Sequence, residues 1–258
     1  MKQIVFLSGL PRTGSTLLSA ILSQNPKIHA EGNSAVCQLM WDVKKACLTT
    51  SSEQLKANNK LDTVMNDFVS QVPNIYYKNV SENIIVDKCR SWSIPSNIEL
   101  IKEYICKDYK IIILERPVNE ILKSFAKLYK ANNRLNDWNN LIGNKMLEAG
   151  TEPIMRSITG VKYAKDLNDP NHFLFISYND LINDKENTIK KIYDFCGWEY
   201  FKHDFNNVVV KHPENDAVYN LQGQHAIRPV VKKIENDTTL TKNLEDQCLI
   251  IDKLMGYV

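Results

Sequence analysis

The sequence predicts an α/β protein of three layers, α/β/α, built on a central parallel sheet, and three observations predict it. Short continuous apolar runs recur: "IVFL" at 4–7, "NIIV" at 83–86, "KIIIL" at 110–114 and "FLFI" at 173–176. Amphipathic helical patterns lie between them, and a glycine-containing turn joins the first run directly to the first helix. Unbroken isoleucine- and valine-rich runs of this length suit strands buried on both faces, as in a parallel sheet. Alternation of such strands with helices argues for right-handed βαβ units in one domain.

Along the chain, the run at 4–7 enters "GLPRTGST" (9–16), and "STLLSAILSQ" then sets Leu17, Leu18, Ile21 and Leu22 on one helical stripe. The run at 83–86 continues into "VDKCRSWS". The third run leads through "ERPV" to "NEILKSFAKLY", where Ile121, Leu122, Phe125 and Leu128 share a face. Residues 131–170 are rich in asparagine and hold helical fragments such as "DWNNLIGNKMLEAG"; they are expected to form a helical insert over the carboxyl end of the sheet. After the run at 173–176 comes "NTIKKIYDFCG", with Ile189, Ile192, Tyr193 and Cys196 inward and Gly197 as the stop signal. No internal repeat or Pro/Gly linker divides the chain, so a single domain over 1–258 is expected.

The composition, 43% hydrophobic and 24% charged over 258 residues, is that of an ordinary globular protein. A net charge of +2 provides no global field for nucleic acid or an anionic membrane, so any anion site must be local. Six cysteines without a C-x-x-C pair read as small buried hydrophobes in a reducing compartment, and five scattered histidines argue against zinc. No 18-residue apolar stretch occurs and the opening run is too short for a secretory leader, so a cytoplasmic protein is expected.

Gly9–Thr16 fits the phosphate-loop pattern G-x-x-x-x-G-K-[ST], except that Ser15 stands in the lysine position and the cation is Arg12, three places earlier. A strand–turn–helix context makes an anion site from free backbone N–H groups and the helix dipole before side chains are added. Read from residues alone, the stretch is also a tight turn with an N-capping serine. The missing lysine, and the lack of a clear magnesium aspartate, count against a nucleoside triphosphate; Asp87 is followed directly by Lys88.

"LPRTGSTLL" with "SQNPKIHAEG" resembles the 5′-phosphosulfate loop of the PAPS-dependent sulfotransferases, PAPS being 3′-phosphoadenosine-5′-phosphosulfate. It is most similar to the P-R-[ST]-G-[ST]-T-L branch, which includes tyrosylprotein and many bacterial and viral members. The resemblance implies a phosphate-loop nucleotide-hydrolase-like fold and a donor loop of Arg12, Thr13, Gly14, Ser15 and Thr16. It assigns the donor's 3′-phosphate to Arg116, after a central strand, and to Ser124, eight residues on. In "FLFISYNDL", Tyr178 inherits an adenine-packing role, although a core tyrosine reads equally well from the residues alone. "GQHAIRPVVKK" (223–233) is similar to a Gly–x–His–x–x–Arg segment of bacterial relatives and offers Arg228, with Lys232 and Lys233, to the 3′-phosphate.

The implied reaction is in-line sulfuryl transfer from PAPS to a hydroxyl or amine acceptor, without metal, leaving adenosine 3′,5′-bisphosphate. The acceptor would be a small molecule or a glycan or peptide hydroxyl. Arg12 and Lys88 would neutralise charge on the transferred group and the leaving phosphate. Arg90 stands where cytosolic members carry a histidine base. The base expected instead is Glu31, the only carboxylate in "NPKIHAEGNSAV", with Asp87, His29 and His225 behind it. A small-molecule phosphate-loop kinase and a nucleotide-binding protein that has lost its base are the competing readings.

Overall fold

The structure, a computed structural model, describes residues 2–233 and 235–258. Five parallel strands, β1 (Gln3–Gly9), β2 (Ile28–Asn33), β3 (Ile84–Lys88), β4 (Ile111–Glu115) and β5 (Phe173–Ser177), form one sheet in the order β2-β3-β1-β4-β5. Alternation along the strands divides the core. Phe6, Ile85, Ile111 and Ile113 face one side, while Val5, Leu7, Val86, Ile112 and Leu114 face the other. The first face is covered by α2 (Val36–Leu48), α4 (Leu61–Tyr76), α5 (Pro95–Tyr104), α6 (Val118–Ala131), α7 (Met155–Leu167) and α10 (Lys242–Met255), with the short α3 (Ser52–Ala57) beside α2 and α4. The second is covered by α1 (Ser15–Leu22), α8 (Tyr178–Asn183) and α9 (Lys185–Cys196). Both faces are therefore dry, which is why the strands read as unbroken apolar runs. Among the described residues no helix is long and apolar enough to cross a membrane.

Two details fix the carboxyl edge of the sheet. Gly9 adopts φ +126°, and a Cβ there would fall inside the backbone of Leu114, its register partner on β4. Only glycine lets the chain leave β1 at that point. At α6, the buried Asp252 carboxylate of α10 accepts from the backbone N–H groups of Val118 (2.6 Å) and Asn119 (3.3 Å). A residue distant in sequence thus caps the first turn of the helix.

The region 131–170, where a helical insert over the carboxyl edge of the sheet is expected, is largely helical. The short turns Leu135–Asp137, Trp138–Ile142 and Gly143–Lys145 lead to α7, which packs on the sheet face as the β4–β5 crossover. Its Ile158, Val161 and Ala164 belong to the first core, and Gly160 brings the helix against Ser93 and Ile94. Beyond α9, the described residues of 197–241 contain one short helical element, the 3-10 turn Asp216–Tyr219. This segment is held to the end of α6 by Asn132, which accepts from the Gln222 N–H (2.8 Å) and donates to its carbonyl (3.0 Å).

Candidate active site

The carboxyl ends of β1, β3 and β4 open onto one cleft of about 450 Å³, joined by the start of α8 and the stretch around residues 223–236. That volume lies in the small-molecule range. The position, flanking the central strand where the chain order reverses, is where open α/β sheets bind ligands.

The loop from Gly9 is tightly shaped. Arg12 has φ 59°, an uncommon value for a residue with a side chain, and Gly14 has φ +83°. A Cβ at Gly14 would lie 3.1 Å from the Tyr178 ring, so the glycine also admits that ring against the loop. The Thr13 hydroxyl donates to the Leu10 carbonyl at 2.7 Å and the residue is buried. Its side chain therefore shapes the turn, and the residue is not among those that line the cleft. Ser15 and Thr16 begin α1 and line the cleft, and among the described residues neither hydroxyl has a protein partner.

Arg12 and the residues assigned to a second phosphate meet. Arg12 Nε donates to Ser124 Oγ at 3.1 Å, and Arg116 Nη1 donates to the Arg12 carbonyl at 3.0 Å. Arg116 also pairs with Glu120 at 3.0 Å and lies over the Tyr178 ring, 4.1 Å from its centroid. Tyr178 lines the cleft as expected, but one face of its ring is covered by the guanidinium. Burial first, and then the like charge of Arg116, hold the Arg12 guanidinium below its ordinary pKa. Lys88, at the end of β3, is buried, and desolvation depresses its ammonium while Glu214, 3.5 Å away, opposes the shift.

Seven cations line the cleft: Arg12, Lys88, Arg90, Arg116, Lys127, Arg228 and Lys232. Among the described residues no aspartate or glutamate lines it. The near-neutral chain therefore concentrates positive charge in one place. Lys233 does not join the lining, and Lys127 went unrecognised in the sequence. Its signal was the helical spacing from Ser124, which puts the two on one face of α6.

Glu31 is not among these residues. Its carboxylate turns to His29 (3.3 Å) and borders a separate small recess with Gly32, His212 and Glu214. The structure therefore does not bring the expected base to the cleft, and a base must reach the acceptor's proton. Asp87 is equally occupied. It is wholly buried and accepts from Ser34 (2.8 Å), Tyr77 (2.8 Å) and Trp92 (2.6 Å), and burial holds its carboxyl above the usual range. His29 is buried beside Tyr77 and His212. His225 alone of the four lines the cleft.

A family model described as the sulfotransferase family matches residues 4–202. Comparison with curated proteins gives no match. Among solved structures, the chain is similar to the sulfotransferase domain from the curacin biosynthetic pathway, at 15% identity and a TM-score of 0.59, covering 100% of this chain and 99% of that one. It is similar to the sulfotransferase domain of the Synechococcus PCC 7002 olefin synthase at 16% identity and TM-score 0.59, covering 100% and 97%. A sulfotransferase from Alicyclobacillus acidocaldarius aligns at 11% identity and TM-score 0.56, covering 99% and 96%. At these identities the structural likenesses speak for the fold.

Proposed function

This chain belongs to the sulfotransferase family, and from that premise we propose that it transfers a sulfuryl group from 3′-phosphoadenosine-5′-phosphosulfate to a hydroxyl or amine acceptor. The single observation that carries the reading is the cleft lined by seven cations and, among the described residues, no carboxylate, at the N-terminus of α1. A ligand with phosphate groups at both ends fits that chemistry. When bound, the donor supplies a sulfuryl group on a good phosphate leaving group.

The residues present suit the two ends separately. The backbone N–H groups of the loop, with the Ser15 and Thr16 hydroxyls, hold the 5′-phosphosulfate end. Arg12 and Lys88 place positive charge where the bridging oxygen and sulfuryl oxygens gather negative charge. Arg116, Ser124 and Arg228 hold the 3′-phosphate, and Tyr178 with Ile182 forms the wall beside the base. Sulfuryl transfer, like phosphoryl transfer, depends on positioning and charge stabilisation more than on covalent help. The cytoplasm, where thiols stay reduced, is the compartment this reading favours.

The test is ligand-induced stabilisation. Adenosine 3′,5′-bisphosphate at about 100 times its Kd should stabilise the protein by about 2.7 kcal/mol, and AMP at the same concentration should do much less. Equal responses to both nucleotides, or a magnesium-dependent response to ATP exceeding either, would overturn the assignment in favour of a different nucleotide.

A further inference from the structure

We propose that His225 takes the acceptor's proton at Nε2, oriented by Asp216 and backed by Glu214. The assignment rests on the sulfuryl-transfer reading above and names the base that reading leaves open. His225 lines the cleft together with Arg12, Ser15 and Lys88. Its Nδ1 lies 2.6 Å from Asp216 Oδ1, and its backbone N–H donates to Asp216 Oδ2 at 3.1 Å. One carboxylate therefore grips both the ring and the main chain of the same residue. With Nδ1–H donating to Asp216, the lone pair is on Nε2, the atom within 3.4 Å of the Gln224 side-chain nitrogen.

Glu214 completes the arrangement. Its Oε1 is buried without a hydrogen-bond partner and lies 3.5 Å from both His225 Nε2 and Lys88 Nζ. Lys88 already faces that oxygen, and the N–H⁺ formed when His225 is protonated is a second donor to it. The chain makes room for it at Gly32, where a Cβ would collide with the Glu214 carboxylate. Placement relative to the donor loop is fixed as well. Arg12 Nη1 donates to the carbonyl of Gln224, the residue directly before His225. The charged or titratable groups around the imidazole are thus Asp216 and Tyr219 from the 3-10 turn, Glu214 before it, Lys88 from β3, and Arg12 through Gln224.

The step balances as follows. The acceptor oxygen forms a new S–O bond as its proton passes to His225 Nε2. The bond from sulfur to the donor's phosphate oxygen breaks, and its electron pair leaves on that phosphate, beside Arg12 and Lys88. The imidazolium is held between Asp216 and Glu214 until it loses the proton to solvent.

The experiment combines ring spectroscopy with turnover. In histidine-labelled protein, long-range proton–nitrogen correlation should show His225 as the Nδ1–H tautomer, and D216N should weaken that preference. With PAPS as donor, and water and a panel of small alcohols and phenols as acceptors, H225Q should lower kcat by ~10²–10⁴-fold. The Kd for adenosine 3′,5′-bisphosphate should stay within about twofold, and the acid limb of the pH profile should disappear. An Nε2–H tautomer overturns the proposal even if no acceptor turns over. So does H225Q with normal kcat, or loss of kcat in E31Q alone. Failure of wild-type protein to bind adenosine 3′,5′-bisphosphate would instead defeat the donor assignment, leaving the tautomer result to judge the dyad.

Discussion

Replacing Arg116 by alanine separates the two ends of the proposed donor. Among the described residues the guanidinium touches the Arg12 carbonyl at 3.0 Å, Glu120 at 3.0 Å and the Tyr178 ring at 4.1 Å. The Glu120 side chain is 53% exposed, so that pair contributes little to stability. A hydrogen bond to a charged phosphate contributes about 1.5–3 kcal/mol, equivalent to roughly 10- to 150-fold in Kd. Titration calorimetry of R116A should show that loss for adenosine 3′,5′-bisphosphate and a change within about threefold for AMP. R116K, which keeps the charge but not the planar fork, should fall between. Equal weakening of both nucleotides would mean that Arg116 serves only to shape the loop through Arg12, and the assignment of the second phosphate would fail.

Further outcomes follow from other parts of the molecule. Arg12→Ala should lower turnover by about a hundred- to a thousand-fold, with donor binding and far-UV circular dichroism measured alongside to separate chemistry from folding. Asp252→Ala leaves two N–H groups at the start of α6 without their acceptor; it should cost about 2 kcal/mol in urea unfolding, and Asp252→Asn, which keeps one acceptor, about half of that. His203 is buried, and desolvation pushes its pKa from 6.5 down to about 4. The native state then binds fewer protons than the unfolded chain between those values, so stability is full above pH 6.5 and declines toward pH 4. Unfolding free energies across that range should flatten in His203→Gln, which can still bond the Tyr193 hydroxyl (2.9 Å in the native protein).

Four of the five strands were legible as apolar runs: β1, β3 and β4 lie inside the sheet and are covered on both faces, and the part-buried edge strand β5 keeps such a run as well. The fifth, β2, is an edge strand that pairs only with β3, through an irregular register between Ala30 and Asn33. Its "IHAEGN" contains no apolar run to detect. Arg116, Lys88 and the loop were legible because each sits at the end of a recognisable strand, where topology alone brings distant residues together. Asp252 was not, since nothing local marks a carboxylate that caps a helix 134 positions earlier. The same reason hid Asp216 and Glu214, which lie in a segment with no periodicity and acquire meaning only from what folds against them. The direction of the Glu31 carboxylate, which faces His29, was not legible because sequence offset cannot report where a side chain turns.

The distribution of charge divides the cleft by task. Arg12 and Lys88 both have depressed pKa values, with desolvation as the largest cause and neighbouring cations adding to it. Arg12 also holds a left-handed backbone, a conformation costing on the order of 1 kcal/mol or more. A fold selected only for stability would relieve such repulsion with carboxylates among the arginines, and among the described residues none lines this cleft. Of the acids beside it, Glu120 pairs with Arg116 from the exposed side, while Asp216 and Glu214 are placed against the His225 ring. There they stabilise a transient positive charge on the imidazole, and Glu214 at the same time faces Lys88. Glu214 Oε1, equidistant from Lys88 and His225 at 3.5 Å, marks the boundary between those halves. Moving a carboxylate across that boundary, as Ser124→Asp would do, should therefore abolish donor binding even though it pairs Arg12 and raises the stability of the empty protein.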